Sequence, residues 1–131
     1  MDRSTILAWL RETEEKRLDE LWTLADETRK SNVGDEVHLR GLIEISNHCC
    51  RKCGYCGLRS ENRGIERYRM SKEEITDCAK LAVKYGYGTV VMQAGEDYGI
   101  KTEWLADIVR WIKQETPLAV TLSLGERPDE D

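Results

Sequence analysis

Three cysteines, Cys49, Cys53 and Cys56, stand within the stretch Ser46-Asn47-His48-Cys49-Cys50-Arg51-Lys52-Cys53-Gly54-Tyr55-Cys56-Gly57, with the spacing Cys-x3-Cys-x2-Cys. Three thiolates on one short turn can hold three corners of a cubane iron–sulfur cluster and leave the fourth iron without a protein ligand. A cluster that only carries electrons normally takes four cysteines. An open metal position, by the logic of catalytic zinc sites, is where a reactant binds. The spacing therefore points to a reactive metal centre. The competing reading is a zinc knuckle closed by His48 or Cys50 as fourth ligand. Structural zinc sites usually pair two separated Cys-x2-Cys halves, and the chain has no second half.

The neighbouring residues divide between local packing and function. Tyr55 either packs against its own loop or holds an aromatic ring beside the metal, where it could stack on a nucleobase. Cys50 reads as an ordinary side chain beside the cluster, and Cys78, on an apolar helix face, as core. Arg59, Arg63, Arg67 and Arg69 form a basic run interleaved with Glu61 and Glu66. Its default reading is a solvated loop, and its alternative a docking site for an electron donor or a second protein.

The elements that must position these residues follow from periodicity and caps. Residues 5–31 carry an apolar stripe at helical spacing, interrupted by a polar run at 11–17 that suits two helices. Asn32-Val33-Gly34-Asp35 breaks the pattern. Val37 to Ser46 reads as a strand, apolar enough to be buried on both faces of a parallel sheet. Ser71-Lys72-Glu73-Glu74 is a capping box that opens a helix to about Tyr85, stopped by Gly86. Thr89 to Gln93 is a second strand, residues 102–115 an amphipathic helix stopped by Pro117, and Leu118 to Leu124 a third strand. Alternating strands and helices imply parallel strands joined by right-handed crossovers. Such sheets bind ligands at the C-terminal ends of their strands. The cysteine loop, the segment Gln93-Ala94-Gly95-Glu96-Asp97, and the Thr121, Ser123 and Gly125-Glu126 group then share one rim.

With 131 residues, the chain has the length of one ordinary domain. We read 1–35 as an N-terminal helical segment and 36–131 as the first part of a (β/α) barrel. A complete (β/α)₈ barrel takes about 250 residues, so a fragment truncated at its C-terminus is expected. The net charge of −5 argues against nucleic acid as the main partner, because phosphate binding needs a basic face. No apolar run approaches the roughly 20 residues of a membrane span. Five cysteines, four of them between 49 and 56, suit reduced thiols on a metal in the cytoplasm better than a disulfide framework.

Cys49-x3-Cys53-x-Tyr55-Cys56 after the first strand of a β/α series resembles the signature of the radical S-adenosylmethionine (SAM) superfamily. Gly41 to Asn47, Cys56-Gly57-Leu58-Arg59, Arg67-Tyr68-Arg69-Met70, Gln93 to Asp97 and Val120 to Glu126 are similar to the HydE branch of [FeFe]-hydrogenase maturases. Biotin synthase and methylornithine synthase share that general layout. The resemblance implies a radical SAM TIM-type barrel in which Cys49, Cys53 and Cys56 ligate a [4Fe–4S] cluster whose unique iron chelates the methionine part of SAM. It implies that Tyr55, Gln93, Ala94, Gly95 and Glu96 border SAM, and that Thr121 and Ser123 line the barrel near the substrate. The expected activity is reductive cleavage of SAM to a 5′-deoxyadenosyl radical. It would act on a small-molecule or organometallic substrate, with a reducing donor such as ferredoxin or flavodoxin and with other maturation proteins as partners.

Overall fold

A computed structural model describes residues 1–127. The chain divides into two compact units at Val37/His38. The first holds α1 (Arg3–Leu10) and α2 (Glu15–Val33). The polar run expected to split this region does so. Asp2 caps α1 by accepting the Thr5 N–H at 2.8 Å. In the short link between the helices, Glu12 accepts the Thr13 and Glu14 N–H groups, both at 3.0 Å. Gly34, at φ 79°, ends α2, in the left-handed region that glycine enters without penalty.

The second unit runs β1 (Gly41–Ser46), α3 (Lys72–Lys84), β2 (Thr89–Ala94), α4 (Thr102–Glu115) and β3 (Ala119–Ser123). The three strands form one parallel sheet in the order β1-β2-β3. Ser71 and Glu74 make both halves of the capping box at the start of α3. Both helices pack on the same sheet face. Ile75, Ala79 and Ala82 of α3 and Ile108 and Ile112 of α4 meet Ile43, Ile45, Val90 and Met92 in one core. No helix among the described residues is long and apolar enough to cross a membrane.

Two features of the first strand differ from expectation. Val37 to Arg40 lie outside the ladder, whose first pair is Gly41 with Val90, and Val37 and Leu39 are exposed. The strand is also covered on one face only. Side chains alternate along a strand, so Leu42 and Glu44 point away from the helices, and Leu42 is 57% exposed. The same parity puts Gln93 and Ser123 level with Glu44, and Val91 and Thr121 level with Leu42. This bare face is the one that faces inward in a barrel of this topology.

Candidate metal centre

The three cysteines lie on the long connection that leaves the C-terminal end of β1 and returns to α3. Its two limbs are tied at the base. The Asn47 backbone N–H donates to the Tyr68 carbonyl at 3.3 Å, the Asn47 amide Nδ2 to the Glu66 carbonyl at 2.7 Å, and the Tyr68 N–H to Asn47 Oδ1 at 2.8 Å. Inside the loop, Ser60 N–H reaches the Arg51 carbonyl at 2.8 Å and Asn62 Nδ2 the Gly57 carbonyl at 2.8 Å. The Arg67 guanidinium donates to four carbonyls: Nη1 to Asn47 and to Leu58 (2.8 Å), Nη2 to Arg59 (2.9 Å) and to Asn62 (3.2 Å).

A second set of contacts presses this loop onto the end of β2. Cys50 N–H donates to the Glu96 carbonyl at 3.0 Å. Gly95 lies so close beneath that a Cβ there would overlap the His48 carbonyl oxygen and stand 2.8 Å from Cys49 Cβ. Only glycine permits that approach. Arg51 Nε donates to Glu96 Oε2 at 2.5 Å and its Nη2 to Glu126 Oε2 at 2.6 Å, so one loop side chain reaches the ends of both β2 and β3. The Arg51 guanidinium is the main reason that the Glu96 carboxyl is held below the usual carboxylate range, and the Tyr98 hydroxyl, donating at 3.1 Å, assists. A cavity of about 210 Å³ beside Cys49 and Cys50 is lined also by His48, Arg69, Glu96, Asp97 and Tyr98.

Asp97 does structural work. It is 4% exposed and accepts the Ser46 hydroxyl at 2.7 Å, the Gly99 N–H at 2.9 Å and Arg69 at 2.7 and 2.8 Å. Ser46 in turn accepts the His48 N–H at 3.1 Å, so this carboxylate anchors the point where the cysteine loop leaves the strand. The Arg69 hydrogen bonds, ahead of those from Ser46 and Gly99, hold the Asp97 carboxyl well below its usual range against the opposing effect of burial.

Cys49 is half-buried, Cys50, Cys53 and Cys56 are exposed, and all five cysteines are free thiols. Among the described residues, no three Cys, His, Asp or Glu side chains converge tightly enough to hold a metal ion. A cubane asks for something different, because each of its cysteines binds a different iron. The donor set suits iron and sulfide: soft thiols on one loop, with no disulfide consuming them. Tyr55 is 94% exposed. Gly95 and Glu96 meet the cysteine loop at the end of β2, with Gln93 and Ala94 just before them in the strand, and Gln93 shares the bare sheet face with the exposed Thr121 and Ser123. Cys78 packs against the core. The solvated-loop reading of the basic run fails at Arg67 and Arg69, whose guanidinium groups are both engaged. Sequence reasoning named these arginines and Asp97 but missed what they do, because nothing local marks a partner 20 or 28 residues away.

No family model matches the chain. Over 110 residues it is 53% identical to the [FeFe] hydrogenase maturase subunit HydE of Thermotoga maritima, a match covering 84% of this chain and 31% of that protein. It is 30% identical over 113 residues to the 3-methylornithine synthase of Methanosarcina acetivorans, covering 85% and 32%. Among solved structures, the crystal structure of methylornithine synthase (PylB) superposes with a TM-score of 0.70 at 28% identity, over 87% of this chain and 34% of that one. The chain thus spans about a third of the length of the curated relatives it matches. Its parallel sheet, with helices on one face and a three-cysteine loop at the end of the first strand, is a segment of the TIM-type barrel that these proteins share. The chain belongs to the radical SAM superfamily.

Proposed function

We propose that this chain is the cluster-bearing segment of a radical SAM enzyme with a HydE-like role in [FeFe]-hydrogenase maturation. The carrying observation is the placement of Cys49, Cys53 and Cys56 on a loop at the C-terminal end of β1, pressed against Gly95 at the end of β2. A [4Fe–4S] cluster held by those three thiols would supply, with SAM, the one-electron cleavage chemistry of the superfamily. The protein supplies position and exclusion of water. Ser46 and Asp97 fix where the loop begins. Gly95 admits close approach of its backbone, where an amino group finds carbonyl acceptors. Tyr55, exposed beside the last thiol, offers a ring face to adenine. Gln93, Thr121 and Ser123 on the bare face offer polar groups to a small-molecule or organometallic substrate. The HydE-like assignment rests on 53% identity, against 30% for the methylornithine synthase. An external reductant of the ferredoxin or flavodoxin class completes the scheme.

Anaerobic reconstitution tests this reading. The chain is given iron and sulfide, or zinc, and its bound metal and acid-labile sulfide are counted. Iron and sulfide should be taken up in equal amounts, with the absorbance of a cubane. Tight zinc binding that resists replacement by iron and sulfide would overturn the reading.

A further inference from the structure

We infer that Arg67 is the positioning residue that gathers the three thiols, an inference that rests on the reading of their loop as the cluster site. Between β1 and α3 the chain forms no helix and pairs only through the bridge between Ser46 and Arg69. The backbone hydrogen bonds of Asn47, Cys50 and Ser60 therefore share the shaping of the loop with side-chain contacts. Arg67 makes more of them than any one-point donor could. Its Nη1 binds the carbonyl two residues before Cys49 and the carbonyl two residues after Cys56, so both feet of the thiol segment meet on one nitrogen. Its Nη2 fixes the following turn through Arg59 and Asn62. A guanidinium suits this task because its donors form a rigid planar fork, and hydrogen bonds from a charged donor are the stronger kind. Arg67 is half-buried, and among the described residues its partners are carbonyls, with no carboxylate in salt-bridge range. The charge is committed to shaping backbone rather than to pairing with an acid.

Without this guanidinium the Ser60–Arg51 hydrogen bond still closes the turn around Cys53 and Cys56, but the two feet of the loop are next joined only where Asn47 pairs with Glu66 and Tyr68. The segment between the feet then grows from about ten residues to about eighteen, which lowers the probability that Cys49 meets Cys53 or Cys56 by up to about twofold.

The test uses Arg67→Met, which keeps length and loses all donors, and Arg67→Lys, which keeps charge but donates from one point. A trivalent aryl arsenical, which bridges neighbouring thiols, is titrated into the iron-free chain. Iodoacetamide, which needs one thiol at a time, serves as control. Iron and sulfide uptake is measured in parallel. Arsenical affinity should fall, by up to about twofold, in the Met variant, with Lys intermediate, while iodoacetamide rates at Cys49, Cys53 and Cys56 stay close to wild type. Iron uptake should follow the arsenical order. Unchanged arsenical affinity in the Met variant overturns the inference. If that variant does not fold, a Lys variant equal to wild type overturns it instead. If wild type takes up no iron but the arsenical order holds, the positioning role stands and the cluster reading falls.

Discussion

Arg69 grips Asp97 with two parallel hydrogen bonds, Nε to Oδ2 at 2.7 Å and Nη2 to Oδ1 at 2.8 Å. The pair joins the segment returning from the cysteine loop to the segment after β2. Ser46, on the same carboxylate, adds the end of β1. Bidentate geometry of this kind adds both energy and direction. Three chain segments that surround the candidate cluster are thereby fixed to one buried group.

This carboxylate makes stability depend on acid. Its folded-state pKa lies below the unfolded value of about 3.9, so its contribution is present in full above that value. The contribution is lost as pH falls through it toward the lower folded-state value. Melting temperatures measured from about pH 7 down to about pH 3 should drop more steeply in the native chain than in Asp97→Asn. At neutral pH the variant should be less stable by about 1–3 kcal/mol. Equal slopes would show that Asp97 is not the linked group.

Gly95→Ala forces a Cβ against the His48 carbonyl and Cys49. The backbone at the end of β2 or the start of the cysteine loop has to shift, and overpacking of this sort costs about 1–3 kcal/mol. Thermal unfolding should register that loss, and reconstituted protein should bind SAM more weakly by isothermal titration. Gly88→Ala, with nothing within 4 Å of its Cβ, is the control and should change neither.

The cysteines divide by role. Cys49→Ala, Cys53→Ala and Cys56→Ala should each abolish cluster uptake, read as iron and sulfide content after reconstitution. Cys50→Ala and Cys78→Ala should retain it. Cys50 shares the loop but is spaced outside the three-ligand pattern, and Cys78 packs against the core. Equal loss at Cys50 would mean that the ligand set is misassigned.

Local signals carried the helices. Residues 102–115 show an unbroken amphipathic repeat and become α4 with those bounds. The Ser71 capping box is a four-residue signal and starts α3 where expected. Strand β1 was readable in type but not at its start, because Val37 and Leu39 look like strand residues, yet the ladder begins only where Val90 provides a partner. Burial of that strand on one face rather than two depends on what packs against it, which apolar content does not encode. The candidate site divides the same way. Cysteine spacing is a short-range pattern and was visible. The arginines that shape the loop looked like surface charge, because their acceptors are backbone carbonyls and a carboxylate remote in sequence. Gly95 was placed on the rim after the second strand, but its contact with Cys49 across two strand ends required the fold.

A cubane held by only three thiols has one corner left for SAM. The most direct measurement is the EPR spectrum of the anaerobically reconstituted, chemically reduced chain, recorded before and after addition of SAM. Three-thiol ligation predicts a reduced-cluster signal whose g-values shift when SAM is added, in the native chain and in Cys50→Ala alike. A reduced-cluster signal indifferent to SAM would contradict it, because the fourth corner would then be closed.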